Sequence, residues 1–436
     1  MRARWAIALA VSAVLAGCGP REERTTLVVQ RFFGECGAVY GGSTDIAAAD
    51  TECGILTTTI NRFESENPDI RLRVNVVAWP GYPQLAAQIA AGDPPDVVTM
   101  HQSVMTDYQA KGLLAPLDQL LHGAGIDPGQ MTPAARGGVT IGGRTYGLPI
   151  DTIGRLFHVN TRLMREAGLM QGDRPILPNS PQELLAHARQ FRKATGKPYL
   201  LLGQVAASDA LASNLYTYLL AQDAVIFPDA RHIRLATPEA IEIVTLFRQL
   251  GAEGLMPLDQ DFPAANTAFM TGGGGIFATG TWMIGSYEEV ARDPDSALYE
   301  SYAVVPYPRL WGRPASVVDG HAWVVPKAAR GPAEQEAVTR FLSHMARYNY
   351  DWARTGHLPA FAAVLERRDF NALPHRAKIA AMAKTGRQLP AYVQRQSAIQ
   401  GLLGEEIEAA VTGQKTVETA LKDAERRVNE LLAQML

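Results

Sequence analysis

Hydrophobic and polar positions follow two different periods in the N-terminal part of the chain. Apolar residues at every second position in 70–77, and short apolar runs in 25–31 and 96–100, predict β-strands. Apolar residues at helical spacing in 55–63 and 82–91 predict helices between these strands. Alternation of this kind is typical of α/β proteins with largely parallel sheets, which bind ligands beyond the carboxyl ends of their strands.

The alternation of strands and helices continues through the rest of the chain. The Pro in 146–151 fits a segment that crosses between two lobes better than a helix interior, and a strand is predicted near 155–159. Helices are predicted at 181–195 and 238–251, each with Pro near its first position. The segment 417–435 carries an apolar helical stripe, which indicates packing onto a core.

Length and composition set the scale of the protein. A chain of 436 residues exceeds the usual size of one hydrophobic core, so two domains are expected. The hydrophobic fraction of 47% suits globular packing. The formal net charge of −3, with acids and bases well mixed, gives no basic surface for nucleic acid, so no nucleic-acid partner is expected.

The N-terminus has the pattern of an export signal. Arg2 and Arg4 precede the apolar run 5–15, which is too short to span a bilayer. The sequence Leu-Ala-Gly-Cys that ends at Cys18 resembles the lipobox of bacterial lipoproteins. This resemblance implies a signal peptide over 1–17, a lipid on Cys18 and a tether over 18–26. An ordinary secretory signal with an incidental cysteine is the alternative.

The two remaining cysteines, Cys36 and Cys53, flank a segment rich in Gly, Ala and Asp. Outside the cytoplasm such a pair is expected to form a disulfide, which stabilises a loop of this size by about 3 kcal/mol. A metal pair is the competing interpretation, but no His or third Cys lies at ligand spacing. No metal and no cofactor are therefore expected.

Several sequence blocks, in order along nearly the whole mature chain, resemble the family 1 extracellular solute-binding proteins of bacterial ABC sugar importers, the maltose/trehalose-binding type. The most specific block combines Tyr-Gly-Leu-Pro at 146–149 with Asn160 and Glu-Ala-Gly-Leu at 166–169. The other blocks are 61–64 with 67–68, 95–98 with 110–118, 269–270 with 280–282, 319–323 and 356–359.

This resemblance implies a fold and a function. The implied fold is an α/β, two-lobe periplasmic-binding-protein fold in which a hinge joins two mostly parallel sheets flanked by helices. The N-terminal lobe is expected over 27–147 with about 304–345, and the C-terminal lobe over 148–303 with about 346–436. The implied function is reversible capture of a carbohydrate, a disaccharide such as trehalose or maltose, without catalysis. The protein is expected to be a monomer in the periplasm or on the cell surface and to deliver the carbohydrate to the permease subunits of the transporter.

A sugar needs aromatic faces for its C–H surfaces and directional polar partners for its hydroxyls. Trp282 follows a strand-like stretch and a Gly, where the family places a stacking Trp; a core Trp is the alternative. Gly320 and His321 match positions at which the family contacts ligand, although His321 also fits a core histidine. Asp151 follows the Tyr-Gly-Leu-Pro block and is either a ligand contact or a hinge carboxylate.

Four further residues are candidates for ligand contact. His101 and Gln102 directly follow the predicted strand 96–100, where family members carry a polar ligand-binding residue. Trp79 ends another predicted strand and faces either the cleft or the lobe interior. Arg387 lies in a block similar to the Arg-Pro…Pro-x-Tyr block that supplies a binding arginine in trehalose/maltose-type members, but Gln388 stands in place of that Pro.

The segment between the two cysteines departs from the commonest family pattern. It alters the loop after the first strand, which usually borders the ligand, so Glu52 and Asp45 become further candidates.

Three other classes of function remain as alternatives. The same fold with a non-sugar solute, such as an amino acid derivative, a polyamine or a phosphorylated molecule, is the first. An enzyme is the second, although the glycine run 272–275 lacks the Gly-Lys-Ser/Thr of a phosphate loop and only scattered carboxylates could serve a glycosidase. A purely structural lipoprotein is the third.

Overall fold

The structure is a computed structural model that describes residues 24–205 and 209–434. The predicted signal peptide, Cys18 and most of the tether lie outside the described residues. Within the described ranges, no helix combines the length and the apolar character that a membrane span requires.

The strands are short apart from one that runs through the middle of the molecule. Their bounds are β1 Thr25–Arg31, β2 Ile70–Val76, β3 Val97–His101, β4 Thr140–Ile141, β5 Arg144–Thr145, β6 Gly147–Pro149, β7 Asp151–Asn160, β8 Met170–Gln171, β9 Arg174–Pro175, β10 Leu200–Leu201, β11 Ile276–Gly280, β12 Tyr302–Val305, β13 Val318–Asp319, β14 His321–Val324 and β15 Leu358–Pro359.

The helices cover the sheets and form most of the C-terminal part. They are α1 Gly37–Tyr40, α2 Glu52–Glu66, α3 Tyr82–Ala90, α4 Gln102–Ala110, α5 Asp118–Gly123, α6 Pro133–Val139, α7 Thr161–Glu166, α8 Pro181–Thr195, α9 Asp209–Ala221, α10 Pro238–Ala252, α11 Phe262–Met270, α12 Ile284–Val290, α13 Pro332–Arg347, α14 Asn349–Ala353, α15 Ala362–Leu365, α16 Arg368–Ala372, α17 Arg376–Ile379, α18 Ala381–Thr385, α19 Gln396–Val411 and α20 Val417–Ala433.

Local chemistry explains where several helices begin. The side chains of Thr51, Ser180 and Thr237 each accept a hydrogen bond from a backbone N–H in the first turn of α2, α8 and α10. Pro181 and Pro238 stand at the first helical position, where a missing N–H costs nothing. The helices predicted at 181–195 and 238–251 are therefore confirmed.

The first sheet has the strand order β2-β1-β3-β14-β6. Strands β1, β2 and β3 pair in parallel, and β14 pairs antiparallel with both β3 and β6. Helices α2 and α13 pack against this sheet and bury Phe63, Trp323 and Phe341 in one hydrophobic core. We call this unit the first lobe.

The second sheet is built around β7, in which every residue is buried. Its order is β10-β11-β7-β12, and β13 and β15 pair with the beginning of β7. Helices α8, α9, α10, α19 and α20 enclose a separate core that includes Phe191, Phe247 and Leu403. We call this unit the second lobe.

The two-lobe α/β fold is confirmed. In each sheet the described strands run in one direction except for a single strand, β14 in the first sheet and β7 in the second. Strand β14 comes from the second lobe and enters the first sheet at the end where β1–β3 finish, whereas β6 runs in the same direction as β1–β3 and leads out to the second lobe. In the second sheet β7 runs antiparallel to β11, β12, β13 and β15, whereas β10 and β11 pair in parallel. Sequence periodicity reports which face is buried but not the direction of the partner strand.

Within the described residues, the chain passes between the lobes at three places. Ile150 separates β6 from β7, Gly320 separates β13 from β14, and α14 leads from α13 of the first lobe to β15 of the second. The predicted return to the first lobe near residue 304 falls on β12, which pairs with β7 of the second lobe. The chain rejoins the first sheet at His321, and the other lobe boundaries remain predictions.

The predicted disulfide is confirmed: Cys36 and Cys53 are bonded, with their Cα atoms 6.0 Å apart. It fixes the loop after β1 to the first turn of α2. The side-chain amide of Asn61 donates hydrogen bonds to the carbonyls of Tyr40, Gly41 and Ser43 in the same loop. The cross-link therefore holds Glu52, its neighbour in sequence, at a defined place beside the sheet.

Candidate functional site

A cavity of about 690 Å³ lies between the two lobes, at the end of the first sheet where β1 and β3 finish. Both lobes line it, which agrees with ligand binding beyond the carboxyl ends of parallel strands. The lining residues that carry the chemistry discussed below are Phe33, Glu52, Trp79, Tyr82, His101, Arg155, Asp209, Phe262, Trp282, Asp319, His321, His357 and Gln388.

Aromatic rings form the first-lobe wall of the cavity. The indole ring of Trp79 packs edge-on against Phe32, with ring centroids 4.6 Å apart, and against His101 at 4.7 Å. Phe33 stands beside them and also lines the cavity. Although these contacts hold one edge of Trp79, 59% of the residue remains exposed. A large part of its surface is therefore available to a ligand.

Trp282 forms the facing wall in the second lobe. It follows β11 in a short 3-10 helix, and its ring packs directly over Gly280, where a Cβ would overlap the indole. The guanidinium of Arg155 lies 5.9 Å from the centre of the ring. Arg155 also donates a hydrogen bond of 2.6 Å to Asp209, so its position beside the indole is fixed.

His101 ends β3 and directs a ring nitrogen to the cavity. The hydroxyl oxygen of Tyr82 accepts a hydrogen bond from the backbone N–H of His101 at 2.9 Å and lies 2.5 Å from its Nδ1. The hydroxyl hydrogen is thus directed to Nδ1, and the neutral imidazole carries its proton on Nε2. Burial lowers the pKa of His101 to about 3, so the residue is a neutral donor.

Asp151 and His321 form a buried pair at the edge of the cavity. The Asp151 carboxylate accepts hydrogen bonds from the backbone N–H of His321 at 2.8 Å and from its Nδ1 at 2.9 Å. It also accepts one from the indole N–H of Trp352 at 2.8 Å. Burial opposes both charges, but the mutual attraction outweighs it, so the pKa of His321 is raised and that of Asp151 is lowered.

His357 and Glu52 lie beside this pair. The Nε2 atom of His357 is 3.4 Å from Glu52 Oε1 and 3.8 Å from Asp151 Oδ2. Burial lowers the pKa of His357 to about 4 and raises the pKa of Glu52 to about 7. Two histidines and two carboxyl groups from distant parts of the chain therefore converge at one side of the cavity.

Asp319 supplies a further buried carboxylate. It accepts hydrogen bonds from the backbone N–H of Ser103 at 3.0 Å and from its hydroxyl at 2.6 Å. Burial raises its pKa despite these contacts. Since Asp319 belongs to the second sheet and Ser103 to the first lobe, this contact also ties the lobes together beneath the cavity.

The residues predicted from sequence fall into three groups. Trp79, His101, Trp282 and His321 line the cavity. A second set of predicted residues lies directly behind the cavity, and a third set lies on the protein surface away from it. The second set is Gln102, Asp151 and Gly320, which are joined by backbone contacts, and the third set is Arg387 and Asp45, which are exposed.

Packing between the crossing segments explains the position of the second set. The amide of Gln102 donates hydrogen bonds to the carbonyls of Asp151 and His321 at 3.2 and 3.3 Å. A Cβ on Gly320 would come within 2.5 Å of the Asp151 carbonyl, so only glycine allows this close approach. Gln102 and Gly320 hold the crossing segments in place rather than facing the cavity.

Sequence reasoning did not identify Tyr82, Arg155, Phe33 or His357 as cavity residues. Tyr82 begins α3 and Arg155 lies inside β7, positions at which side chains usually pack inside a lobe. His357 belongs to the Gly-His-Leu-Pro block that resembles the family, and this block could have indicated that His357 lies at the cavity. Glu52 was a further candidate because of the inserted loop, and it does line the cavity.

Two lobes joined by three crossing segments, with a ligand-sized cleft between them, define a solute-binding protein of the periplasmic type. The chain belongs to the bacterial extracellular solute-binding protein family, whose family model matches residues 58–378. The family expected from the sequence blocks is thereby confirmed.

Curated relatives match only part of the chain. A protein of Brucella abortus (strain 2308), named as a binding protein, is 27% identical over 196 residues. A similarly named protein of Brucella suis biovar 1 matches to the same extent. The match covers 44% of this chain and 45% of the relative, so the chain spans less than half the length of the curated relatives it matches.

Solved structures resemble the protein over nearly its whole length. Maltose-bound MalE3 of T. maritima has a TM-score of 0.76 at 18% identity and covers 93% of this chain and 100% of its own. The sugar-binding protein MalE from Xanthomonas citri has a TM-score of 0.77 at 18% identity and covers 94% and 98%. The cyclic alpha-maltosyl-1,6-maltose binding protein from Arthrobacter globiformis has a TM-score of 0.73 at 21% identity, covering 94% and 99%. At these identities the likeness establishes the fold.

Proposed function

We propose that the protein captures a carbohydrate reversibly in the cleft between its lobes and delivers it to the permease of an ABC importer. One observation carries this proposal: Trp79 of the first lobe and Trp282 of the second line the same cavity, together with polar side chains from both lobes. Flat aromatic faces suit the C–H surfaces of a sugar ring, and the hydroxyl rim needs donors and acceptors at fixed positions.

The polar groups of the cavity supply both donors and acceptors. His101 offers its Nε2–H, and Arg155 offers guanidinium donors in a fixed orientation. Glu52 and Asp209 offer carboxylate oxygens that accept from sugar hydroxyls. A site that pairs buried polar groups with hydroxyls discriminates against solutes that lack them, because the unpaired groups then cost free energy.

A disaccharide such as trehalose or maltose is the proposed cargo. The cavity volume of about 690 Å³ lies in the range of about 300–1,000 Å³ that is usual for small-molecule sites. Structural relatives whose names mention maltose or other glucose oligomers support an α-glucoside as the first choice. A disaccharide that stacks on Trp282 and pairs most of its hydroxyls is expected to bind with a dissociation constant of about 1 μM.

Isothermal titration calorimetry of the purified protein against a panel of solutes tests the proposal. The panel contains trehalose, maltose, sucrose and lactose, together with an amino acid, a polyamine and a sugar phosphate. Saturable one-to-one binding of a disaccharide, with the sugar recovered unchanged afterwards, supports capture without catalysis. Tight binding of only a non-sugar solute assigns a different cargo, and consumption of the sugar assigns an enzyme.

We also propose that residues 1–17 direct export and that Cys18 carries the lipid that anchors the protein, a monomer, at the membrane surface. The Leu-Ala-Gly-Cys sequence and the extracellular character of the family support this. The change Cys18→Ser is expected to move the protein from the membrane fraction to the soluble fraction. The control Ser12→Ala, upstream of the expected cleavage site, keeps it in the membrane fraction. A Cys18→Ser variant that stays membrane-bound contradicts the anchor.

A further inference from the structure

The hydrogen bonds around His357 fix which ring nitrogen carries its proton. The hydroxyl of Thr355 donates to the carbonyl of Trp352 at 2.7 Å, so its hydrogen is already used. The same oxygen lies 2.8 Å from Nδ1 of His357 and therefore accepts the Nδ1–H. The neutral ring then has an unprotonated Nε2, and that atom is buried without a hydrogen-bond partner among the described residues.

Lone pairs converge on this side of the cavity. The bare Nε2 of His357 faces Glu52 Oε1 at 3.4 Å and Asp151 Oδ2 at 3.8 Å. No described residue donates a hydrogen bond to the Glu52 carboxylate. Acceptors that face one another without a hydrogen between them repel, and a cation placed among them removes that repulsion.

His321 completes the cluster. Its Nδ1 is hydrogen-bonded to Asp151, while its Nε2 is buried and without a partner in the described part of the chain. Because His321 Nδ1 and Asp151 Oδ2 are only 2.9 Å apart, with one proton between them, a metal ion that displaces this proton can bind both atoms. Asp151, His321 and His357 each offer one ligand atom, and these three atoms lie within 4.8 Å of one another.

We propose that Asp151, His321 and His357, with Glu52 on the cavity side, bind one divalent transition-metal ion of the zinc type. Imidazole and carboxylate ligands suit such an ion. Tetrahedral bonds of about 2.0–2.2 Å put two ligand atoms about 3.4 Å apart. The ligand atoms of Asp151, His321 and His357 lie within 4.8 Å of one another, so their most distant pair has to approach by roughly 1 Å on binding. The inference stands on this cluster alone and does not depend on which solute is captured.

The position of the ligands gives the ion a role in the hinge. Asp151, His321 and His357 belong to the three segments that cross between the lobes, and Glu52 begins a helix of the first lobe. An ion bound to all four would link these segments directly. Glu52 is partly exposed, with 33% of its side-chain surface accessible, so the ion is reached from the cavity.

No sequence pattern predicts this set, because its members are separated by 170 and 36 positions and meet only in the folded chain. A proton shared between Glu52 and His357 is the other way to relieve the repulsion of the lone pairs. Only the first explanation requires a bound metal ion, so a direct measurement of metal content separates the two.

The test uses the purified full-length chain, freed of metal with EDTA and dialysed, and titrated with ZnCl₂ in a calorimeter. Metal analysis of the reloaded protein measures the stoichiometry. We expect one zinc ion per chain, and a visible absorption spectrum of tetrahedral or five-coordinate Co²⁺ when cobalt replaces zinc. The changes His357→Gln and Glu52→Gln are each expected to weaken zinc binding by about ten-fold or more.

The control is His232→Gln, which removes an exposed histidine beside Asp229 and leaves the proposed site intact. It is expected to bind zinc like the unchanged protein. Circular dichroism establishes that His357→Gln is folded, and Glu52→Gln, which alters a partly exposed side chain, provides a second variant. Failure of the unchanged protein to bind zinc overturns the proposal, as does binding that only His232→Gln diminishes.

Discussion

The carboxylate of Asp151 accepts hydrogen bonds from both the backbone N–H and the Nδ1 of His321, at 2.8 and 2.9 Å. These residues are 170 positions apart. Each stands directly after a point at which the chain passes between the two sheets, Ile150 for one and Gly320 for the other. The pair therefore fastens two crossing segments to each other at the edge of the cavity.

Replacing Asp151 with Asn is expected to destabilise the protein by about 3–5 kcal/mol, because a buried charge pair loses one partner. The new amide also presents a donor where Trp352 and His321 already donate. The free energy of unfolding in urea measures the loss. The control Asp229→Asn alters an exposed pair with His232 and is expected to leave stability within error. Equal stability of the two variants contradicts a structural role for the pair.

Replacing Trp282 with Ala is expected to weaken sugar binding by about ten-fold or more, since a lost aromatic contact costs about 1–3 kcal/mol. Trp282→Phe, which keeps a flat ring, is expected to retain more of the affinity. The matched control is Arg387→Ala, because the structure places Arg387 on the surface rather than among the cavity residues. Calorimetric titration compares the three variants. A larger loss of sugar affinity for Arg387→Ala than for Trp282→Ala contradicts the placement of the binding site at Trp282.

Replacing both Cys36 and Cys53 with Ser is expected to lower stability by about 3 kcal/mol, the loop-closure effect for a cross-link of this span. Because the disulfide also positions Glu52 beside the cavity, ligand affinity is expected to fall as well. Thermal unfolding and calorimetry on the same preparation measure the two effects. An unchanged melting temperature would mean that the other contacts of the loop, such as those of Asn61, are sufficient.

The buried His158 makes stability depend on pH. Its Nε2–H donates to the Gly280 carbonyl at 3.1 Å, and its Nδ1 accepts from the Tyr302 hydroxyl at 2.8 Å, so the neutral ring is fully paired. Burial lowers the pKa of His158 to about 3. The unfolded chain binds this proton near pH 6.5, so the stability contributed by the neutral ring is complete above that pH.

As the pH falls from 6.5 towards 3, the contribution of His158 is lost at up to about 1.4 kcal/mol per pH unit. The change His158→Gln removes the titrating group, so its stability should decline with a slope that is smaller by that amount. Urea unfolding at pH 7, 6 and 5 measures both slopes. Parallel pH dependence in the two proteins would show that His158 is not the titrating group.

Local sequence patterns predicted the elements but not their arrangement. The strand predicted at 25–31 coincides with β1, and the helix at 181–195 with α8, because apolar periodicity and capping residues act within a few positions. The reversed direction of β14 in the first sheet depends on the path of the chain between the lobes. That path is a property of the whole fold, which a local pattern does not contain.

The residues of the candidate site were also predicted only in part. Trp79, His101, Trp282 and His321 follow strands or turns in blocks that resemble the family, and the structure brings them to one cavity. Arg387 was expected there through its block, but its neighbour Gln388, at the position of the family's Pro, lines the cavity instead. A sequence block locates the segment at the cavity but does not show which of two adjacent side chains faces inward.

The most direct test of carbohydrate capture is a crystal structure of the protein with the disaccharide that binds most tightly in calorimetry. The account predicts a sugar ring lying against the face of Trp282, with hydroxyl groups within hydrogen-bonding distance of His101 or Glu52. Density for the sugar elsewhere on the surface, with the space between Trp79 and Trp282 left to water, would contradict it.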